Sequence, residues 1–356
     1  MKIAIITITK SANLGNVLQN FALQKVINDC GYEVETIKNL TGSLLFVDNR
    51  RTSLKNWLQL LFNYHGYRRT YYRNRIFRLF CNDNIKYGEV TYNNGVFSGP
   101  YNYDLYIVGS DQVWNPCFGL ATDYELLNYF PFDRCGSYAA SFGISDFNSI
   151  SIDKKEHILE SLLKFRSISV REDSGKNIIE NLVGVPCYVH LDPTMLLTGS
   201  DWRKYELRPS GSIPGKYIIV YLLGHQTDEY KSKIRMLSNR MGASIVDLFD
   251  NKWFNLNPFE FLWMIENAAC ICTDSFHAVV FSILYHKQFF IFKRVDDNAD
   301  QSSRFYTLLN TCGIKQSQCD IDNTIETINW DEVDTMLETK RSESMAYIHD
   351  LLNGAK

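Results

Sequence analysis

The stretch Thr273-Asp274-Ser275-Phe276-His277-Ala278 decides the fold, because it marks the point where a buried strand ends and a helix begins. The apolar run 268–272 before it predicts a short strand, and the run 279–285 after it predicts a helix. A further strand is predicted at 289–292. In open α/β sheets, the carboxyl ends of strands and the amino ends of helices meet at the ligand-binding edge. A hydroxyl and an imidazole at this junction therefore indicate a site for an anion that also needs a proton.

The same alternation of strand and helix extends through both halves of the chain. Further strands are predicted at 2–9, 32–37, 104–108, 137–141, 167–170, 188–191, 217–223 and 244–249. Further helices are predicted at 14–30, 174–182, 228–241, 258–266 and 330–352. Alternation of this kind predicts parallel sheets covered by helices. We therefore predict the α/β class, with two facing Rossmann-like domains.

A cluster of glycines and prolines separates the two predicted domains. The chain has 356 residues, and domains usually have about 150 residues, so two domains are expected. Gly199, Pro209, Gly211, Pro214 and Gly215 lie close together and predict a linker. We therefore expect an N-terminal domain at 1–198, a linker at 199–215 and a C-terminal domain at 216–356.

Composition excludes several classes of function. The net charge of −3 argues against a nucleic-acid binder, and no run reaches the roughly 18 apolar residues of a membrane span. The nine cysteines have neither the pairing nor the spacing of a zinc site, so reduced thiols and no metal are expected. These features predict a cytoplasmic protein.

Two loops at predicted strand ends offer candidate residues in the first half. Gly15 and Asn16 lie at the start of the first helix, where backbone amides and the helix dipole favour an anion. An ordinary capped helix start is the alternative. Asp111, directly after the strand at 104–108, can act as a general base, and Ser110 beside it is a candidate binding residue. Here the alternative is helix capping by either side chain.

Arg171 follows a third apolar strand. Its planar guanidinium group suits a carboxylate or a phosphate. Pairing with Glu172 or Asp173 is the structural alternative, so the sequence leaves both roles open.

His277 is the candidate proton donor, and Ser275 is a binding candidate beside it. An imidazole titrates near neutral pH and can give or take a proton. A purely structural histidine is the alternative. His190, close to Asp192, is the nearest rival among the other histidines.

A basic and aromatic stretch extends from Arg50 to Arg78. It holds eight cations and no acid, with aromatic residues between them. We predict either a solvated helix face or a patch for an anionic partner such as a lipid surface or a diphosphate.

Several motifs together resemble those of polysaccharide pyruvyl transferases. They occur in the order of that family and lie at 13–24, 103–115, 168–173, 191–197 and 273–277. The resemblance implies an architecture similar to that of the GT-B glycosyltransferases. It also implies transfer of the pyruvyl group of phosphoenolpyruvate to two hydroxyls of a sugar, with release of phosphate and formation of a pyruvate ketal. The expected acceptor is galactose or mannose in a bacterial surface polysaccharide precursor, such as that of a capsule or exopolysaccharide.

The resemblance also suggests roles for the candidate residues. His277 would donate the proton or contact phosphate, and Asp111 would activate or orient the sugar hydroxyl. Arg171 and Ser275 would hold the donor, and Asn16 would line the cleft. No cofactor is expected, because cations and helix dipoles can stabilise the departing phosphate.

The resemblance further suggests partners and leaves two rival functions. The acceptor sugar would be carried on a polyprenyl diphosphate lipid at the inner face of the cell membrane, with the patch at 50–78 in peripheral contact. A nucleotide-sugar-dependent GT-B glycosyltransferase is the alternative function, and a non-catalytic carbohydrate-binding protein is a further one.

Overall fold

A computed structural model describes residues 1–43, 45, 64–99, 101–144, 147, 150–295, 302–322 and 327–354. The strands are β1 Lys2–Ile6, β2 Glu33–Asn39, β3 Tyr87–Asn93, β4 Val96–Ser98, β5 Leu105–Val108, β6 Cys135–Ser137, β7 Ser169–Val170, β8 Tyr188–Val189, β9 Tyr217–Tyr221, β10 Ser244–Asp247, β11 Cys270–Thr273 and β12 Phe289–Ile291. The α-helices are α1 Leu14–Asp29, α2 Tyr64–Asn84, α3 Ile152–Leu162, α4 Asp173–Leu182, α5 Pro193–Leu196, α6 Gly199–Arg203, α7 Asp228–Met241, α8 Pro258–Glu266, α9 Phe276–Leu284, α10 Ser303–Thr311 and α11 Trp330–Asn353.

The first sheet has the strand order β4-β3-β2-β1-β5-β6 and is parallel except for the β3–β4 hairpin. The short parallel pair β7–β8 continues it through the bridges Gly136–Ser167 and Ala140–Val170. The chain direction across the sheet reverses between β1 and β5. The loops that follow these two strands therefore open at a topological switch point, where α/β sheets bind ligands.

The second sheet has the order β10-β9-β11-β12, and all of its pairs are parallel. Its switch point lies between β9 and β11, so the Ser275 and His277 loop emerges there. Two parallel sheets with helices between their strands confirm the predicted α/β class.

Two predicted strands are shorter in the structure. The strand predicted at 2–9 ends at Ile6, and the Thr7 hydroxyl just beyond it donates to the Ser110 carbonyl at 3.1 Å. The strand predicted at 137–141 ends at Ser137, because Ala139 has a φ of 46°, which an extended strand cannot accommodate.

One of the hydrophobic clusters joins the two sheets. It includes Ile3 of β1 and Ile219 of β9, both fully buried. Phe21 of α1 packs against Trp202 and Phe259, with ring centroids 5.8 and 5.5 Å apart. Because the two halves share buried apolar surface, α1 is held firmly against the second sheet. The start of α1 therefore lies directly against the start of α9.

The last helix, α11, returns to the first sheet. The Tyr347 hydroxyl donates to the Ser137 carbonyl at 2.9 Å, and the Arg166 guanidinium donates to the Leu351 carbonyl at 3.0 Å. The predicted boundaries at 198 and 216 stay predictions, but the contacts of α11 cross them.

The basic stretch at 50–78 is described only in part, and two of its arginines contact the second half of the chain. Arg50, Arg51 and Lys55 lie outside the described residues. In α2, Arg69 and Arg73 donate hydrogen bonds to backbone carbonyls in the second half of the chain. These two guanidinium groups are therefore bound by the backbone of the chain itself, and the membrane contact of the stretch stays a prediction.

Candidate active site

Residues from three strand ends of the first sheet meet around one guanidinium group. The Nη1 of Arg171 donates to Asp192 Oδ2 at 2.8 Å, and its Nη2 donates to Asp111 Oδ1 at 3.3 Å. The side chain of Arg171 is 1% exposed. Arg171 is thus paired, as the structural alternative required, but its partners are Asp111 and Asp192 rather than Glu172 or Asp173.

The start of α1 supplies the next residues of the site. Asn13 caps the helix, and its Oδ1 accepts from the amides of Gly15 at 2.9 Å and Asn16 at 3.2 Å. The Asn16 side-chain amide donates to Asp111 Oδ2. Both carboxylate oxygens of Asp111 are therefore held in place, one by Asn16 and the other by Arg171.

His277, in the first turn of α9, meets these residues from the second sheet. Its Nε2 lies 3.5 Å from Asp192 Oδ2, within ion-pair distance but without hydrogen-bond geometry. A Cβ placed on Gly15 would lie 2.0 Å from His277 Nδ1, so only glycine permits this approach of α1 to the imidazole. Asp192 is thus shared by Arg171 of the first half and His277 of the second.

The two predicted serines differ in what they contact. The Ser110 hydroxyl lies 2.9 Å from the Ala139 carbonyl and 3.0 Å from Asp192 Oδ2, so it supports the Arg171–Asp192 pair. Ser275 precedes α9, but its side chain makes no capping hydrogen bond. Ser110 therefore belongs to the site through its contact with Asp192. Ser275 leaves the first backbone amides of α9 without a side-chain cap.

Electrostatics explain why Asp192 and Arg171 stay ionised although both are buried. Burial alone would raise the pKa of Asp192, but His277 and then Arg171 outweigh burial and hold that pKa well below its usual value. Burial alone would lower the pKa of Arg171, but Asp111 and Asp192 outweigh it and raise that pKa. An ionised Asp192 is well placed to orient the His277 ring.

Sequence reasoning missed two parts of the site. Asp192 was singled out only as a neighbour of His190, although its place at a strand end was a usable signal. Arg304 of α10 is 3% exposed, and its guanidinium carbon lies 5.7 Å from the centre of the Phe276 ring. Arg171 packs on the same ring at 4.2 Å. No sequence signal placed Arg304 there, because no helix was predicted around it.

His190 has a structural role and is not part of the reacting cluster. Burial lowers its pKa to about 4, so the ring is neutral near pH 7. The ring packs against Tyr347, with centroids 4.5 Å apart, and its Nδ1 lies 3.2 Å from the Ser344 hydroxyl. His190 therefore helps to attach α11 to the first sheet.

A small cavity adjoins the cluster. Its volume is about 130 Å³, and Arg171, Asp192 and Phe276 line it together with Thr307 and Lys340. Within the described ranges, no three His, Cys, Asp or Glu side chains are grouped as metal ligands, and no helix is long and apolar enough to span a membrane. All nine cysteines are free thiols.

Comparisons with solved structures define the architecture. The chain is similar to the UDP-GlcNAc 2-epimerase from Methanocaldococcus jannaschii, with 14% identity, a TM-score of 0.51, and coverage of 95% of this chain and 92% of that chain. A structure of the M. jannaschii enzyme in complex with UDP-GlcNAc and UDP gives 14% identity, a TM-score of 0.50 and 99% coverage of both chains. At these identities the similarity shows the fold alone, which confirms the predicted two-domain, GT-B-like architecture.

The family is shown by sequence. A search of curated proteins gives no significant match. The sequence profile described as polysaccharide pyruvyl transferase matches residues 13–296, which include the loops of Asn16, Asp111, Arg171, Asp192 and His277. Because this match covers well over half of the sequence, the chain belongs to the polysaccharide pyruvyl transferase family.

Proposed function

We propose that this enzyme transfers the pyruvyl group of phosphoenolpyruvate to two hydroxyls of a sugar, with release of phosphate and formation of a cyclic pyruvate ketal. The observation that carries the proposal is the sharing of Asp192 by Arg171 at 2.8 Å and His277 at 3.5 Å. An imidazole from the second half of the chain and a guanidinium from the first half thereby lie at the same carboxylate. Family membership supports a transferase with this type of acceptor.

The donor phosphate fits best at the start of α9. The first amides of α1 are already occupied by Asn13, whereas Ser275 leaves those of α9 without a side-chain cap. No acidic residue lies in the first turn of α9, so its dipole favours an anion. Arg171 would add its positive charge. Its longer bond, to Asp111 at 3.3 Å, is the one that we expect an incoming carboxylate or phosphate to replace.

We propose the following order of steps from these positions. His277 gives its proton to the methylene carbon of the donor, which becomes a methyl group, and positive charge develops on the neighbouring carbon. One sugar hydroxyl attacks that carbon and passes its proton to Asp111, and the bond to the phosphate oxygen then breaks. A second hydroxyl attacks the same carbon and returns a proton to His277, while the proton on Asp111 leaves with phosphate. The helix dipole of α9 and Arg171 stabilise the negative charge on the departing phosphate. The proposed steps use only side chains and backbone groups of this chain.

Phosphate release from phosphoenolpyruvate tests the proposal. With a galactose- or mannose-terminated acceptor, we expect phosphate release and a product heavier by about 70 mass units, which is pyruvic acid less water, by this general-acid route. His277→Gln should lower turnover by about 10²- to 10⁴-fold, the usual contribution of a general acid. His286→Gln is the control, because His286 is exposed just beyond α9 and pairs with Asp334 at 2.9 Å.

Three results would contradict parts of the proposal. Equal turnover of the His277 and His286 variants would remove His277 from the chemistry. A rise in melting temperature with a nucleotide sugar but not with phosphoenolpyruvate would favour the alternative, a GT-B glycosyltransferase. Activity that disappears with a chelator would contradict the expected absence of a metal cofactor.

The acceptor's lipid carrier and the membrane contact remain proposals. Of the predicted patch, the exposed Arg75 lies in the described part of α2, on a different side from the buried Arg73 contacts. If the patch binds an anionic membrane, charge reversal of Arg75 together with Arg50 and Arg51 should weaken binding to anionic vesicles, and more so at low salt. Unchanged binding would exclude the contact.

A further inference from the structure

Two arginines of α2 reach from the first half of the chain to the second. Arg69 donates through Nη2 to the Phe249 carbonyl, and Arg73 donates through Nη1 to the Phe254 carbonyl. Both guanidinium groups also pack on the Phe254 ring, at 3.8 and 4.7 Å from its centre. Phe249 and Phe254 lie in the turn between β10 and α8, which follows the carboxyl end of β10. We call this set of contacts the Arg69–Arg73 bridge.

Arg73 also holds the loop before α1. Its Nε donates to the Ala12 carbonyl at 3.1 Å, so one guanidinium group binds a carbonyl from each half of the chain. Ala12 directly precedes Asn13, which caps α1 through the amides of Gly15 and Asn16. The contact thus acts on the segment that lies against His277 and carries the amide bound to Asp111.

The surroundings of Arg73 favour this bridging role over a surface charge. Its described neighbours are carbonyl oxygens and the rings of Phe77 and Phe254, and no carboxylate in the described chain lies within ion-pair distance. Burial lowers its pKa from the usual value, which agrees with a guanidinium removed from water. Only the planar fork of arginine can donate to two carbonyls in different directions while packing flat on a ring.

We propose that Arg73 is a positioning residue that fixes the start of α1 relative to the second half of the chain, with Arg69 as its second contact to the same turn. By fixing Ala12 against the turn at 249–254, Arg73 keeps Gly15 at the His277 ring and Asn16 at Asp111. Its catalytic consequence rests on the proposed pyruvyl transfer. Displacement of reacting groups by about 1 Å can lower turnover about 10²-fold, so loss of this contact should act mainly on kcat.

The test compares Arg73→Met and Arg73→Lys with Arg235→Met. Arg235 is the control, because it is an exposed arginine within a helix, α7, and has no place in the proposed site or membrane patch. We expect Arg73→Met to lower kcat by about 10- to 100-fold with a smaller change in KM for phosphoenolpyruvate. Arg73→Lys keeps the charge but cannot bridge both carbonyls, so its kcat should lie between those of wild type and Arg73→Met. Arg235→Met should match wild type.

Amide hydrogen exchange supplies a readout that needs no activity. Arg73→Met and Arg69→Met should both speed exchange in 249–256, and Arg73→Met alone should also speed it in 10–16, where Arg73 binds Ala12. Exchange and kcat in Arg73→Met equal to those in Arg235→Met would overturn the inference. If wild type releases no phosphate from phosphoenolpyruvate, the proposed function fails. The exchange comparison then still decides whether the Arg69–Arg73 bridge holds these segments.

Discussion

The approach of Gly15 to His277 gives the sharpest prediction. An alanine Cβ at position 15 would lie 2.0, 2.5 and 2.7 Å from three atoms of the imidazole ring. Since an ordinary contact is about 3.5 Å, the ring or the start of α1 has to move by about 1.5 Å. A displacement of this size should lower kcat at least about 100-fold, which corresponds to about 2.7 kcal/mol in the activation barrier. Phosphate release under saturating donor measures it.

Two controls separate this clash from a general effect of alanine. Gly215→Ala should leave turnover unchanged, because a Cβ there meets nothing within 4 Å. In a His277→Ala background, the ring is gone, and Gly15→Ala should be neutral or raise stability by up to about 1 kcal/mol through helix propensity. Urea unfolding of the four variants in this cycle measures the coupling between the two positions. Wild-type turnover in Gly15→Ala, or equal destabilisation in both backgrounds, would refute the reasoning.

Two further predictions concern stability. Burial, and then the neighbouring Glu266, raise the pKa of Glu206 to about 7, so the folded state favours protonated Glu206. This stabilisation is present below the unfolded pKa of about 4.5 and is lost as the pH rises to about 7. The melting temperature of Glu206→Gln should therefore rise relative to that of wild type between pH 5 and pH 8. Melting temperatures of the two proteins that change in parallel with pH would contradict this. Tyr347→Phe removes a hydroxyl that donates to the Ser137 carbonyl at 2.9 Å and accepts from Ser167 at 3.0 Å. It should lower the free energy of unfolding by about 1–3 kcal/mol with unchanged turnover, whereas unchanged urea unfolding would show that packing alone holds α11.

The fold was predictable where hydrophobic periodicity was uninterrupted. Helices predicted at 228–241 and 258–266 have those bounds in the structure, because caps at Thr227 and Asn257 mark their starts. Strand ends were harder to predict. The side-chain contact of Thr7 and the positive φ of Ala139 are local features that hydrophobic periodicity does not reveal. The β3–β4 hairpin was missed although Asn94-Gly95, both with positive φ, is a usable turn signal.

The candidate site was predictable to the extent that strand ends converge. Parallel strands bring the loops of Asp111 and Arg171 to one edge, so their proximity followed from the alternation of elements. Arg171 and His277 both contact Asp192 because of how the two halves of the chain pack together. Local sequence patterns do not predict that packing. For the same reason, the basic stretch could not reveal that Arg73 turns towards Phe254.

The return of α11 to the first sheet has a consequence for biosynthesis. On the ribosome, β1 to β8 emerge long before Tyr347, yet the groove beside Ser137, Ser167 and His190 is filled only by that late helix. Nascent domains usually fold in the order of their synthesis. In this chain the earlier unit keeps this contact surface uncovered until residues 330–353 have been made, so its final consolidation comes after, and not before, that of the unit made later.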